Sequence, residues 1–84
     1  MSDPIDVVMP QFGMGMREGV IMTWHVGPGD SVIQHQVIAE VEVEKVDVEL
    51  EAPVDGRIIE ILVNVGDSAV VQQVLARIEP TEPV

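Results

Sequence analysis

The stretch Glu40-Val-Glu-Val-Glu-Lys-Val-Asp-Val-Glu-Leu-Glu-Ala-Pro53 decides the fold. Apolar and acidic residues alternate through it, as in a half-buried strand. Before Lys45 the apolar residues are the odd-numbered Val41 and Val43; after it they are the even-numbered Val46, Val48 and Leu50. One strand cannot change phase in this way, because every side chain past the slip would move to the opposite face. A two-residue hairpin at Glu44 and Lys45 accounts for the change. Val43 then faces Val46 and Val41 faces Val48, both pairs towards the core. Glu42 faces Asp47 and Glu40 faces Glu49 on the outside.

Two features of this hairpin work against stability. Tight hairpins favour Asn-Gly or Asp-Gly at the turn, and Glu-Lys is a poor substitute. Acids placed directly opposite one another on a sheet repel, at roughly 0.2–1 kcal/mol per pair. A sequence that breaks local rules without visible compensation marks a candidate functional site. Charge on an edge hairpin also blocks aggregation, which accounts for the acids. It does not account for the lysine at the tip, the only one in the chain.

Working outward, the chain repeats itself. Gly19–Glu42 aligns with Gly56–Glu79 at an offset of 37 residues, without a gap and with ten of 24 pairs identical. Gly-Asp-Ser at 29–31 and again at 66–68 marks a turn in each half. Two copies are too few for a solenoid and suggest a two-fold symmetric sandwich, each half covering the apolar side of the other. Strands are expected near 5–9, 19–26, 36–43, 46–51, 56–63 and 73–79, with short extended pieces near 31–33 and 68–70. No window has a helical period. Gln11–Met16 is extra in the first half, six residues where the second half runs directly from Pro53 to Gly56. The end, Glu79-Pro-Thr-Glu-Pro-Val84, is polar and proline-rich, either the start of a linker or a frayed tail. One domain over 1–80 is expected, with 81–84 as that tail.

Composition narrows the function. The 84 residues are 46% hydrophobic, rich in Val and Ile and nearly devoid of aromatics, which suits an aliphatic all-β core. The net charge of −11 disfavours nucleic acid and anionic membranes as partners. No cysteine is present, so disulfides and thiolate metal sites are excluded. The acidic start Met1-Ser-Asp-Pro4 lacks the basic region of a secretory leader, and no apolar run reaches the ~20 residues of a membrane span. His25 and His35 have no spaced carboxylate or thiol partners that suggest a metal site, and they read as turn or surface residues. Trp24 aligns with Ile61 and reads as core packing. There is no Ser-His-Asp pattern, phosphate loop or calcium loop.

Lys45 is a poor catalytic lysine. A Schiff-base or general-base lysine needs a hydrophobic pocket or a neighbouring cation, whereas acids around an exposed amine favour its charged form. It suits modification by an enzyme that grips the turn and supplies its own activation. A tip position gives any attached group the widest sweep.

The run Val41–Pro53 resembles the lipoyl attachment motif of acyltransferase components of 2-oxo acid and acetoin dehydrogenase complexes. That motif is an acidic residue, the modified lysine, then Ala or Val and an alternating strand ending near Pro. Val8-Met-Pro10, Gly19, Gly29-Asp30 and Gly66-Asp67 match as well, so the resemblance spans about residues 5–80. It implies a flattened barrel-sandwich hybrid, with two four-stranded antiparallel sheets and quasi-two-fold symmetry. It implies lipoate in amide linkage on Lys45, attached by a lipoate ligase or lipoyl transferase that recognises Glu44 and Val46. The dithiolane would accept an acyl group from a thiamine-dependent decarboxylase. It would pass that group to coenzyme A at an acyltransferase core, then be reoxidised by the flavoprotein dihydrolipoamide dehydrogenase. The domain itself would catalyse nothing. By the same resemblance Phe12, Met14 and Met16 are candidate contacts with the decarboxylase, although packing over the barrel end is an equal alternative. The implied compartment is the bacterial cytoplasm, or the mitochondrial matrix in a eukaryote.

Two departures affect detail. Many relatives have Thr-Asp before the lysine, where this chain has Val43-Glu44. Gln36 and Gln73 stand at turn positions where relatives often have Gly. Biotinyl carriers share the architecture but flank their lysine with Met on both sides. A glycine-cleavage carrier would need a longer chain with extra helix. An unmodified interaction module would leave Lys45 without a purpose.

Overall fold

The computed structural model describes residues 3–81. Eight strands follow one another: β1 Ile5–Val8, β2 Glu18–Trp24, β3 Ser31–Val32, β4 Val37–Val43, β5 Val46–Glu51, β6 Gly56–Ile61, β7 Ser68–Val70 and β8 Val74–Pro80. All six expected strands and both short pieces are present, with ends shifted by one or two residues. Pro80 lies within β8 opposite Gly56, and the Thr81 N–H donates to the Asp55 carbonyl at 3.0 Å. The proposed tail thus begins on an ordered strand, and its residues 82–84 lie outside the described residues.

The strands form two antiparallel four-stranded sheets, in the orders β1-β8-β6-β3 and β5-β4-β2-β7. Exchanging β1 with β5, β2 with β6, β3 with β7 and β4 with β8 turns one order into the other, so the internal repeat is a structural two-fold. Each sheet draws strands from both halves, and the halves therefore interlock. At the crossing, Ile21 donates to the Asp67 carbonyl at 3.0 Å and accepts from Gly66 N–H at 2.8 Å; its mate Ile58 bonds Asp30 and Gly29 at 2.9 and 2.7 Å. The same symmetry relates Met9, bonded to Gln72 and Gln73, to Ala52, bonded to His35 and Gln36. Met9 and Ala52 are 43 apart rather than 37, the six-residue difference being the extra loop at 11–16.

The core follows the repeat. The fully buried side chains include Ile21 with Ile58, Ile38 with Leu75, and Val41 with Ile78, each pair one repeat apart. Trp24 and Ile61 pack against the cluster as another such pair, and the Trp24 indole N–H reaches the Val63 carbonyl at 2.9 Å. No polar side chain is buried among the described residues.

The turns at 33–36 and 70–73 correct one expectation. The left-handed residues are His35 (φ 73°) and Gln72 (φ 76°), one position before Gln36 and Gln73. Each Gln instead bends its amide oxygen back to accept from the first residue of its turn, Ile33 or Val70, at 3.1 Å. A side-chain bond to the turn's own backbone takes the place of glycine's freedom.

Charge breaks the symmetry. On the first sheet Arg77 bridges Glu60 at 2.7 Å and Asp6 at 3.1 Å, and Arg57 meets Glu79 at 3.3 Å. On the second sheet the residue one repeat before Arg77 is Glu40, which faces Glu49 across β4 and β5.

Candidate functional site

The hairpin at 40–51 has the register read from its pattern. Val43 pairs with Val46, Glu42 with Asp47, Val41 with Val48 and Glu40 with Glu49. That leaves Glu44 and Lys45 as the whole turn, with φ of 50° and 66°. Positive φ at both central residues defines a type I′ turn, whose twist matches that of the flanking strands. Two side chains with Cβ atoms are thus held in a conformation that favours Gly and Asn. Lys45 is exposed and takes part in no ion pair among the described residues.

The inner face of the hairpin departs from expectation at its tip. Val41 and Val43 are buried, but Val46 is 61% exposed. Alternation sets the side of the sheet towards which Val46 points. Beyond Val43, however, the barrel offers no opposing strand to cover it.

Beside the hairpin, in the same sheet, β2 approaches β4 closely through Gly19. A Cβ there would lie 2.7 Å from Val41 Cγ1 and 3.2 Å from Val43 Cγ2. Gly19 therefore leaves room for the Val41 and Val43 side chains on the adjacent strand, and its mate one repeat on, Gly56, is likewise closely packed.

The extra loop lies beside the turn, and its three large apolar side chains are treated differently. Met16 is buried, with 7% of its surface exposed, and its Sδ accepts from the Phe12 N–H at 3.3 Å. It anchors the loop in the core and offers no surface for a partner. Phe12 is 37% exposed and Met14 95%. Between loop and hairpin runs a cleft of about 240 Å³ lined by Phe12, Met14, Met16, Val43, Val46 and Val48. On the other flank of the hairpin lies a larger and more polar cleft of about 450 Å³, with Arg17, Glu18, Glu42, Glu44 and Ser68 at its walls beside Met16, Val20 and Val43. Arg17 escaped the sequence reading; its position directly after the extra loop was the available signal.

The histidines stand apart from the turn's tip. His25 Nε2 meets Glu40 at 2.8 Å and His35 Nδ1 meets Glu51 at 3.4 Å, both at the surface. No group of three potential metal ligands occurs among the described residues.

The arrangement is a lone amine on a tight turn, flanked by the Glu44 carboxylate and, among the described residues, held in no ion pair. Comparison with known proteins gives this geometry a family. Residues 5–78 match the biotin/lipoyl model described as "Biotin-requiring enzyme". The solution structure of the lipoyl domain of the 2-oxoglutarate dehydrogenase complex from Azotobacter vinelandii superposes with a TM-score of 0.73. It is 35% identical, and the match covers 92% of this chain and 99% of that one. This chain belongs to the lipoyl domains of the biotin/lipoyl attachment family. Lipoyl domains are carriers rather than catalysts, and membership implies covalently attached lipoate. Among full-length relatives, the dihydrolipoyllysine-residue acetyltransferase components of the pyruvate dehydrogenase complex from Staphylococcus epidermidis and Staphylococcus aureus are 39% identical over 71 residues. That span is 84% of this chain but 16% of either relative, so the lipoyl domain corresponds to a small part of them.

Proposed function

We propose that this lipoyl domain carries lipoate in amide linkage on Lys45 Nζ and serves as the swinging arm of a 2-oxo acid or acetoin dehydrogenase complex. The observation that carries the reading is the chain's single lysine at the exposed tip of a type I′ turn, in a fold shared with lipoyl domains. Bound there, lipoate supplies a disulfide able to take up an acyl group reductively and to pass it to coenzyme A.

The chain's own residues present the amine. Glu44 and Val46 flank it, and both are exposed to a modifying ligase. Val41 and Val43, buried beside Gly19 of the adjacent strand, anchor the base of the hairpin in the core. The ligase supplies the activation. The partners are that ligase or a lipoyl transferase, a thiamine-dependent decarboxylase, an acyltransferase core and dihydrolipoamide dehydrogenase. A biotin-dependent role lacks the methionine flanks of biotinyl carriers.

Intact mass after incubation with lipoate, ATP and lipoate ligase tests the reading. One lipoyl amide is expected, mapped to Lys45 by peptide sequencing and absent in Lys45→Arg. A bare lysine under these conditions, or biotin gained in its place from a biotin ligase, overturns it. Reductive acylation by a panel of decarboxylase components, each with its own 2-oxo acid, then identifies the parent complex.

A further inference from the structure

We propose that the apolar cleft between the 11–16 loop and the hairpin is a resting site for the dithiolane ring of the domain's own lipoyl group. The inference deepens the reading above and rests on it.

The cleft begins where the arm begins. Glu44 and Val46 both line it, and Lys45 lies between them. A group tethered there starts at the lip, and the lysine methylenes with the lipoyl chain are long enough to fold back over Val46. The tether also lowers the affinity required, because a short flexible linkage gives an effective concentration in the mM range. A site too weak to hold free lipoamide would still hold the tethered ring for a substantial fraction of the time.

The chemistry of the walls suits the ring. Amide formation removes the lysine charge, so the arm is uncharged, and the cleft is apolar apart from Glu44. The 450 Å³ cleft on the other flank also has Met16, Val20 and Val43 in its walls, but there a guanidinium and three carboxylates share the lining and disfavour an uncharged ring. An apolar cavity of about 150 Å³ accommodates benzene, so a cleft of about 240 Å³ has room for a five-membered dithiolane. The Phe12 ring and the Met14 thioether are soft, polarisable neighbours for sulfur. Phe12, Met14 and Val46, all substantially exposed in the unmodified chain, would each have apolar surface removed from water when the ring sits among them. Resting and reaching then form an equilibrium, and a partner that covers Phe12 and Met14 would release the arm.

The experiment compares unmodified and lipoylated protein, labelled at Met and Val methyls, by NMR after intact mass has shown the lipoyl amide. The Met14, Val46 and Val48 methyl signals are expected to shift and to give NOEs to dithiolane protons. Val20 and Val70, by the polar cleft and on β7, are expected to stay unchanged. Reduction of the ring by a water-soluble phosphine is expected to be about two-fold slower than for free lipoamide if the ring is bound half the time. Met14→Ser, at a position too exposed to affect folding, is expected to restore the free rate and weaken the NOEs. Lipoylated protein with no such NOEs and the free reduction rate overturns the resting site and leaves the carrier reading intact. Failure to gain the lipoyl mass overturns both.

Discussion

The turn that presents Lys45 carries backbone strain, and the strain is measurable. A left-handed conformation costs an ordinary L-residue about 1–2 kcal/mol, and both Glu44 and Lys45 adopt it. Asn tolerates it better, because its short side chain bonds locally, so Glu44→Asn recovers a part of that cost, about 0.5–1 kcal/mol. For a domain of this size 1 kcal/mol corresponds to roughly 4–8 °C in Tm, which gives an expected rise of about 2–8 °C by circular dichroism. Glu44→Ala is the control. It removes the same charge but lacks the side-chain amide that lets Asn bond locally, so it is expected to leave Tm nearly unchanged. The stabilised Glu44→Asn variant is expected to be lipoylated more slowly, because the ligase loses the acidic residue beside its target. Equal Tm for wild type, Glu44→Ala and Glu44→Asn would refute the claim that the turn is strained. Equal stabilisation by both variants would show that charge repulsion, not backbone conformation, was the burden.

Other expectations concern the barrel. A Cβ at Gly56 would run into the Glu79 carbonyl and Ile78 Cγ2, where backbone cannot move aside. Gly56→Ala is therefore expected to cost about 1–3 kcal/mol in urea unfolding, and more than Gly19→Ala, whose Cβ meets valine methyls. Trp24→Phe leaves the Val63 carbonyl without its indole donor and is expected to lose about 1 kcal/mol. Hydrogen bonds from Arg77 to Glu60 and then Asp6, together with their charges, hold its guanidinium above the usual arginine value. A raised value stabilises the fold at every pH below the ordinary arginine range, and the contribution fades only as pH climbs past the raised value. Arg77→Gln is accordingly expected to lower Tm slightly and equally from pH 7 to pH 9, by an amount that shrinks with added salt. A loss that grew with salt would contradict this.

The hairpin register was legible because the apolar set moves from odd to even positions across two adjacent polar residues, which a two-residue turn accounts for. The two-fold was legible because duplicated residues keep their spacing. Other features depend on what lies beyond the strand. Val46 obeys the alternation and is still exposed, since pattern gives the direction of a side chain and not what covers it. His35 and Gln72 take left-handed φ although neither is Gly, because Gln36 and Gln73 supply a side-chain bond that no single-residue propensity encodes. Phe12, Met14 and Met16 follow one another in a glycine-containing loop without period, and only the folded chain separates the anchor from the exposed pair. The interlocking of the halves was likewise hidden, for a repeat shows equivalence but not which copy pairs with which.

The symmetry that relates β4 to β8 carries the Glu44–Lys45 turn onto the gap between the end of β8 and the start of β1. One pole of the molecule is closed by the turn, and the other is open. Pro80 lies opposite Gly56, just past the far end of β5, a six-residue strand that spans about 20 Å. Any chain joined at either end would leave from the open pole. Between Pro80 and the turn the two sheets form one body, so a pivot about the Pro80 end becomes travel at the lysine.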